Sequence, residues 1–267
     1  MSTIITLEEN VGIIYTKVTE KILPSTATLY IPSEKGGGSI EALGSSVLYQ
    51  DNEDYFLITA GHCLKQDGNV IVSGVLDGRN FHYLKGEIMI DRGFGDKTDI
   101  GIIRLSDGSR DACLRNHTFI TRNQIINNSG IKDPTTYLVA GFPNSKVLIQ
   151  HRAKKVEKDL LPYVCQSAEE YYYRKLEFTP YQNLLLHLDR RRSTIWGSGE
   201  MSMSPKTKGL SGCGVWYVPD YFVENIETIR PLLSGIFIEY YREFRIAAVT
   251  KFEMIAPLLK GLLESKK

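Results

Sequence analysis

From residue 27 onward the chain falls into short apolar or alternating stretches, each ended by a turn, with no long helical period between them. Ala27–Ile31, Ile40–Tyr49, Tyr55–Ala60, Val70–Val75, Arg79–Leu84, Glu87–Asp91 and Ile100–Leu105 form a first series. Tyr137–Pro143, Val147–Ala153, Lys175–Thr179, Asn183–Leu188, Cys213–Val218, Ser234–Tyr240 and Arg245–Thr250 form a second. Glycine-rich Lys35–Ser39 and polar Gln50–Asp54 supply turns between neighbours. Strands this short and closely spaced predict an all-β sandwich or barrel. Helical spacing is confined to the ends. Val11–Ile22 suits a short helix stopping near Pro24, with a role in packing across the back of the barrels. The tail Phe252–Lys266 places Ile255, Leu258, Leu259, Leu262 and Leu263 on one face. Ser106–Ile131 reads as a connection, and Ser167–Tyr173 fits helix or loop equally.

Composition narrows the function classes. At 42% hydrophobic the chain can fill a large core, and a net charge of +1 gives no general attraction to nucleic acid or acidic membranes. The basic runs Arg190–Arg192 and Lys154–Lys155 read as solvated surface rather than a nucleic-acid groove, because no aromatic residues interleave them. No run of 18 apolar residues predicts a membrane span. Residues 1–10 lack the basic start and apolar core of a signal peptide, so a cytoplasmic protein is expected. The four cysteines, Cys63, Cys113, Cys165 and Cys213, form no Cys-x-x-Cys and no cluster with histidine. Free thiols are expected, with no metal and no cofactor.

Three stretches carry chemistry. Lys208-Gly209-Leu210-Ser211-Gly212-Cys213-Gly214-Val215-Trp216 sets a serine between glycines and runs straight into an apolar strand. His62 ends the apolar Phe56–Ala60 stretch, and Asp99 opens Ile100–Leu105. Singly, each reads as a turn or a structural polar residue. Together they supply a hydroxyl, a base and an acid to orient the base, which is what an unassisted serine needs to become a nucleophile. Asp96 is a rival acid, but only Asp99 abuts the apolar strand.

The order and context of these stretches add a resemblance. Thr59-Ala60-Gly61-His62-Cys63 resembles the Thr-Ala-Ala-His-Cys signature of trypsin-like, chymotrypsin-fold serine proteases. Asp99-Ile100-Gly101-Ile102-Ile103 is similar to their Asp-Ile-Ala-Leu-Leu, and Gly209-Leu210-Ser211-Gly212-Cys213 to their Gly-Asp-Ser-Gly-Gly. The resemblance spans roughly residues 25 to 260 and is only an outline between about 110 and 205. It implies two antiparallel six-stranded β-barrels and a C-terminal helix. Residues 1–24 would be an extension, 25–120 the first barrel with His62 and Asp99, and 121–267 the second with Ser211. It also assigns Ser211 as nucleophile, His62 as base and then acid, and Asp99 as the group that orients the imidazole. The N–H groups of Gly209 and Ser211 would form the oxyanion hole, with Pro205 at the floor of the specificity pocket and Ile238, Glu239 and Tyr240 along its wall.

Departures from the pattern are informative. Leu210 replaces the family's aspartate, and no Ile-Val-Gly-Gly start precedes the first barrel, which argues against activation by cleavage of a new N-terminus. The partner of Cys63 in secreted relatives would fall near Leu43, and Thr207 stands where another cysteine is usual, so the extracellular disulfide pattern is missing. Cys213 reads as a small buried thiol, not a nucleophile. Pro205 supplies no carboxylate for a basic side chain, while Glu239 is open between a pocket charge and a rim ion pair. A further reading of Arg190–Arg192 is that they line the cleft and favour acidic substrates. The resulting expectation is a cytoplasmic bacterial-type serine endopeptidase acting on a protein substrate. Control by an activating protein partner or ligand is expected, and a role in bacterial antiviral defence is suggested by the resemblance. The alternatives are a silent protein-binding module on a protease fold, or a serine esterase.

Overall fold

The computed structural model describes residues 7–33, 39–66, 69–70, 73–77, 80–93, 95, 97–126, 136–150, 155–189, 193–194, 201–202, 206–218 and 229–265. Among the described residues the chain is mostly β, built on two main sheets that share one apolar cluster, with three two-stranded ribbons beside them. The first sheet is built from β1 (Thr26–Pro32), β2 (Ile40–Asp51), β3 (Asp54–Ala60), β4 (Gly74–Asp77), β5 (Asn80–Tyr83), β6 (Gly86–Asp91) and β7 (Ile100–Leu105). Its spatial order is β5-β4-β1-β2-β3-β7-β6. The second is a closed barrel of β8 (Thr136–Gly141), β9 (Leu161–Ser167), β10 (Asn183–His187), β11 (Gly214–Tyr217), β12 (Leu232–Tyr241) and β13 (Ile246–Lys251). Around the barrel they run β8-β9-β10-β13-β12-β11.

The expected two-barrel architecture is therefore present, with one difference. The first half is a seven-stranded sheet curled into a half-barrel, whose edges β5 and β6 are consecutive in the chain but do not pair. The helix α4 (Phe252–Glu264) lies against the β6 edge and its neighbour β7 as well as against β12 and β13. Covering an edge in this way removes the need to close the sheet.

Both chain ends tie the halves together. The helix α1 (Leu7–Ile22) buries Ile14, Val18 and Ile22 in the main core, and Lys21 Nζ donates to the Ile229 carbonyl, 2.8 Å away, beside the barrel. At the other end Arg104, 9% exposed, donates through Nη2 to Asp54 (2.7 Å) and through Nη1 to the Leu262 carbonyl of α4 (3.0 Å). Between them Ile120 forms a bridge with Tyr49 of β2, and Ile125 with Leu233 of β12. Among the described residues no helix is long and apolar enough to cross a membrane.

Several sequence expectations change. Lys175–Thr179 is not a strand. It is the end of α3 (Glu170–Lys175) and a turn in which Glu177 adopts a left-handed φ of 57°. Packing of Leu176 and Phe178 into the core outweighs their β propensity. The strand β9 was hidden by Pro162, which pairs with Ala140 of β8 where β10 makes no pair. A proline is tolerated at such an open position. The connection after β7 contains a helix, α2 (Asp107–Leu114).

Candidate active site

Strand register brings the acid and the base together. β3 and β7 pair antiparallel with Ala60 opposite Ile100, so the residues just past these ends face each other. Gly61 N donates to the Asp99 carbonyl at 2.8 Å. His62, carried on the single 3-10 turn Gly61–Cys63, donates its backbone N–H to Asp99 Oδ1 at 3.1 Å. Its Nδ1 lies 2.5 Å from Asp99 Oδ2. The Asp99 side chain is 7% exposed, while the His62 ring is 40% exposed. The acid is thus buried while its histidine partner reaches the surface. A Cβ on Gly61 would lie 2.8 Å from Asp99 Oδ1, which is the reason glycine replaces the alanine of the resembling signature.

The second barrel holds the backbone ahead of Asp99. Asn183 Nδ2 donates to the Lys97 carbonyl at 2.7 Å, and Thr250 Oγ1 donates to the Thr98 carbonyl. Asn183 and Thr250 are paired partners on β10 and β13, and both are fully buried. Lys97 Nζ reaches the Leu176 carbonyl (2.8 Å) and sits 4.3 Å from the Phe178 ring centroid. These contacts hold Asp99 in a left-handed conformation, φ 32°, that non-glycine residues rarely adopt.

Ser211 sits in a turn clamped against the first sheet. Ser45 of β2 donates through its backbone N–H to the Ser211 carbonyl (2.9 Å) and through Oγ to the Gly209 carbonyl (2.8 Å). Cys63 Sγ, adjacent in the chain to His62, lies 3.8 Å from the same Ser211 carbonyl. Gly209 and Gly212 take φ values of 99° and 88°. A Cβ on Gly212 would collide with Thr59 Oγ1 and the Ser45 carbonyl, and one on Gly209 with Asn144. Both positions therefore require glycine on conformation and on space. Neither the Gly209 nor the Ser211 N–H meets a backbone acceptor among the described residues.

The electrostatics set the two reactive residue types apart. The hydrogen bond to the Asp99 carboxylate, followed by interaction with the Cys63 side chain, pushes the His62 imidazole up to about 10 against the opposing effect of burial. Burial pushes the Cys213 thiol far up, so that group is a packed apolar side chain and not a thiolate. All four cysteines are free and buried. The residue facing Cys63 is Gly44 rather than Leu43: a Cβ built there would lie 3.9 Å from Cys63 Cβ.

Three of the residues expected to wall the pocket are described. Gly212 N donates to the Phe237 carbonyl (2.8 Å) and Phe237 N to the Cys213 carbonyl (2.9 Å), which sets β12 alongside the Ser211 turn. Ile238, at a bulge in the β12–β13 pairing, is buried, and the Tyr240 hydroxyl donates to the Leu188 carbonyl at 3.2 Å. Glu239 is exposed. Burial, then a hydrogen bond with Glu239, pushes the Tyr241 phenol up. Pro205, Asp96, Lys154 and Arg190–Arg192 lie outside the described residues. His187 and Asp189 do not join one site: His187 Nε2 is 2.7 Å from Glu169 Oε2, and Asp189 pairs with Arg245. Among the described residues no group of acids, histidines and cysteines is arranged to hold a metal ion.

Sequence reasoning missed Ser45, Arg92, Asn183 and Thr250. Asn183 and Thr250 left a faint trace, as polar residues at the ends of apolar strands. Arg92 Nε donates to Asp99 Oδ1 at 3.1 Å from the loop after β6, where Gly93 and Gly95 have φ values of 59° and 62°.

Neither a family model nor a curated protein matches this chain. Solved structures do. The Rv3671c protease of M. tuberculosis in its active form aligns with a TM-score of 0.50 at 10% identity, over 93% of this chain and 85% of that one. A serine endoprotease from Yersinia pestis aligns with a TM-score of 0.51 at 13% identity, over 95% of this chain and 68% of that one. The chain has the fold of these serine proteases.

Proposed function

We propose that the protein is an intracellular serine endopeptidase that cuts a protein substrate through an acyl-enzyme. The observation that carries this reading is the buried Asp99 bonded to His62 Nδ1, with the Ser211 carbonyl held by Ser45 of β2 and by Cys63, the next residue after that histidine. Nδ1 is committed to the acid, which leaves Nε2 to take the Ser211 hydroxyl proton as Oγ attacks a carbonyl carbon. The imidazolium then returns the proton to the leaving amine, and water releases the acyl group by the same path reversed. The N–H groups of Gly209 and Ser211, two residues apart in the chain, would receive the developing oxyanion. Such donors are each worth about 3–4 kcal/mol. Free cysteines support an intracellular setting. Control by an activating partner, and an effector role in bacterial antiviral defence, rest on the sequence resemblance alone.

The test is labelling of the purified protein with a fluorophosphonate probe beside Ser211→Ala, His62→Ala and Asp99→Asn, followed by a peptide library. Labelling that disappears in Ser211→Ala and slows strongly in the other two is the expected result. Equal labelling of the parent and Ser211→Ala would refute the assignment of the nucleophile.

A further inference from the structure

A buried carboxylate beside an imidazole creates a conflict for a general base. The closer and drier the acid, the more firmly the imidazole keeps its proton, and a protonated ring cannot accept one from serine. Asp99 is 7% exposed and 2.5 Å from Nδ1, so this conflict is acute here. Among the described residues one cation stands against it. Arg92 Nε donates to Asp99 Oδ1 at 3.1 Å, the same oxygen that accepts the His62 backbone N–H.

We propose that Arg92 is a positioning residue that lowers the basicity of His62 by sharing the Asp99 carboxylate. Resting on the serine-protease reading of the site, this assigns the working pH range to a residue outside the three reacting groups. Its guanidinium does two things. It offsets part of the Asp99 charge, so a second positive charge on the imidazole is less favoured. It also fixes the carboxylate plane, leaving Oδ2 directed at Nδ1. The other described groups bearing on the pair act differently. Cys63 favours the protonated ring. Lys97 is committed to the Leu176 carbonyl and the Phe178 ring, and Asp91 accepts from the Gly93 N–H. The Arg92 side chain is 39% exposed, so solvent weakens its influence and the low end of the usual range for a neighbouring charge applies.

The experiment follows the His62 ring proton by NMR across pH in the full chain, in the parent, Arg92→Gln and Arg92→Lys, with Asp99→Asn as reference. In Arg92→Gln the midpoint should rise by about one pH unit. Arg92→Lys should stay near the parent, and Asp99→Asn should fall to the ordinary imidazole range. Fluorophosphonate labelling at neutral pH should slow about tenfold in Arg92→Gln, since one unit is a factor of ten. A midpoint unmoved in Arg92→Gln overturns the proposal, and slower labelling without that shift would mean a purely structural role. If the parent fails to label or labelling survives Ser211→Ala, the protease reading falls, yet the NMR midpoint still decides the role of Arg92.

Discussion

Among the described residues, two histidine–carboxylate pairs have similar lengths. His62–Asp99 spans 2.5 Å in the first sheet, and His187–Glu169 spans 2.7 Å on the barrel surface. Distance does not separate them; surroundings do. Asp99 is buried, receives Arg92 and the His62 backbone, and is braced from the other half by Asn183 and Thr250. Glu169 is 69% exposed, and its histidine leans on the Tyr172 ring. A glycine-flanked serine turn is fastened beside the first pair, while the second stands on a strand with no such turn. An ion pair becomes chemical machinery when burial strengthens it and a third group is delivered to its free end.

The sharpest way to break this contrast is to remove each base. His62→Ala should slow fluorophosphonate labelling by about 10⁴-fold, the effect known for members of this type of triad. His187→Ala should leave the rate within about twofold, as expected for a surface pair. A large loss from His187→Ala would mean that the second pair takes part. Next in size is the delivery of the serine. Gly212→Ala forces a side chain into a left-handed position against Thr59 and Ser45, so labelling should be lost and thermal stability lowered by about 1–3 kcal/mol from backbone strain alone. An unaltered melting temperature with full labelling would remove the argument that this turn is fixed by contact.

Bracing from the barrel is a subtler matter. Asn183→Ala should slow labelling by up to about a hundredfold, because small displacements of an orienting group are costly to reaction geometry. The fold should survive, which circular dichroism would check. The smallest effect separates the pairs by sign. His62 is held above its ordinary value, so its contribution to stability is complete below pH about 6.5 and is lost as pH rises toward about 10. Glu169 is held below its ordinary value by its own backbone N–H and then by His187, so its small contribution is present above that value and lost as pH falls. Melting curves of Asp99→Asn should lose the alkaline decline expected of the parent, whereas Glu169→Gln should retain it. Identical alkaline behaviour in both variants would contradict the distinction.

Much of the first pair could be read from sequence, because its residues sit at the ends of apolar strands and strand ends that pair must meet. His62 and Asp99 are one step beyond the Ala60–Ile100 partners. The glycines around Ser211 likewise declared a turn that side chains could not occupy. What stayed hidden was whatever depends on contacts between distant segments. Arg92 reaches Asp99 only because the loop after β6 turns back, and Asn183 and Thr250 act across the interface between the halves. The alternation of Lys175–Thr179 suggested a strand, yet Leu176 and Phe178 serve the core from a turn. Pro162 concealed a barrel strand by a local rule that an open pairing position exempts.

The crossed chain ends have a consequence for how the molecule comes apart and goes back together. Lys21 grips the second half from the first part of the chain, and Arg104 of the first half grips a helix from the last part. A protein divided between Ile126 and Thr136 would yield two fragments, the first holding both clasps, Lys21 and Arg104, and the second their acceptors, the Ile229 and Leu262 carbonyls. That is the design of a complementation pair, with the serine on one fragment and its base on the other, so nucleophile activation would report reassembly.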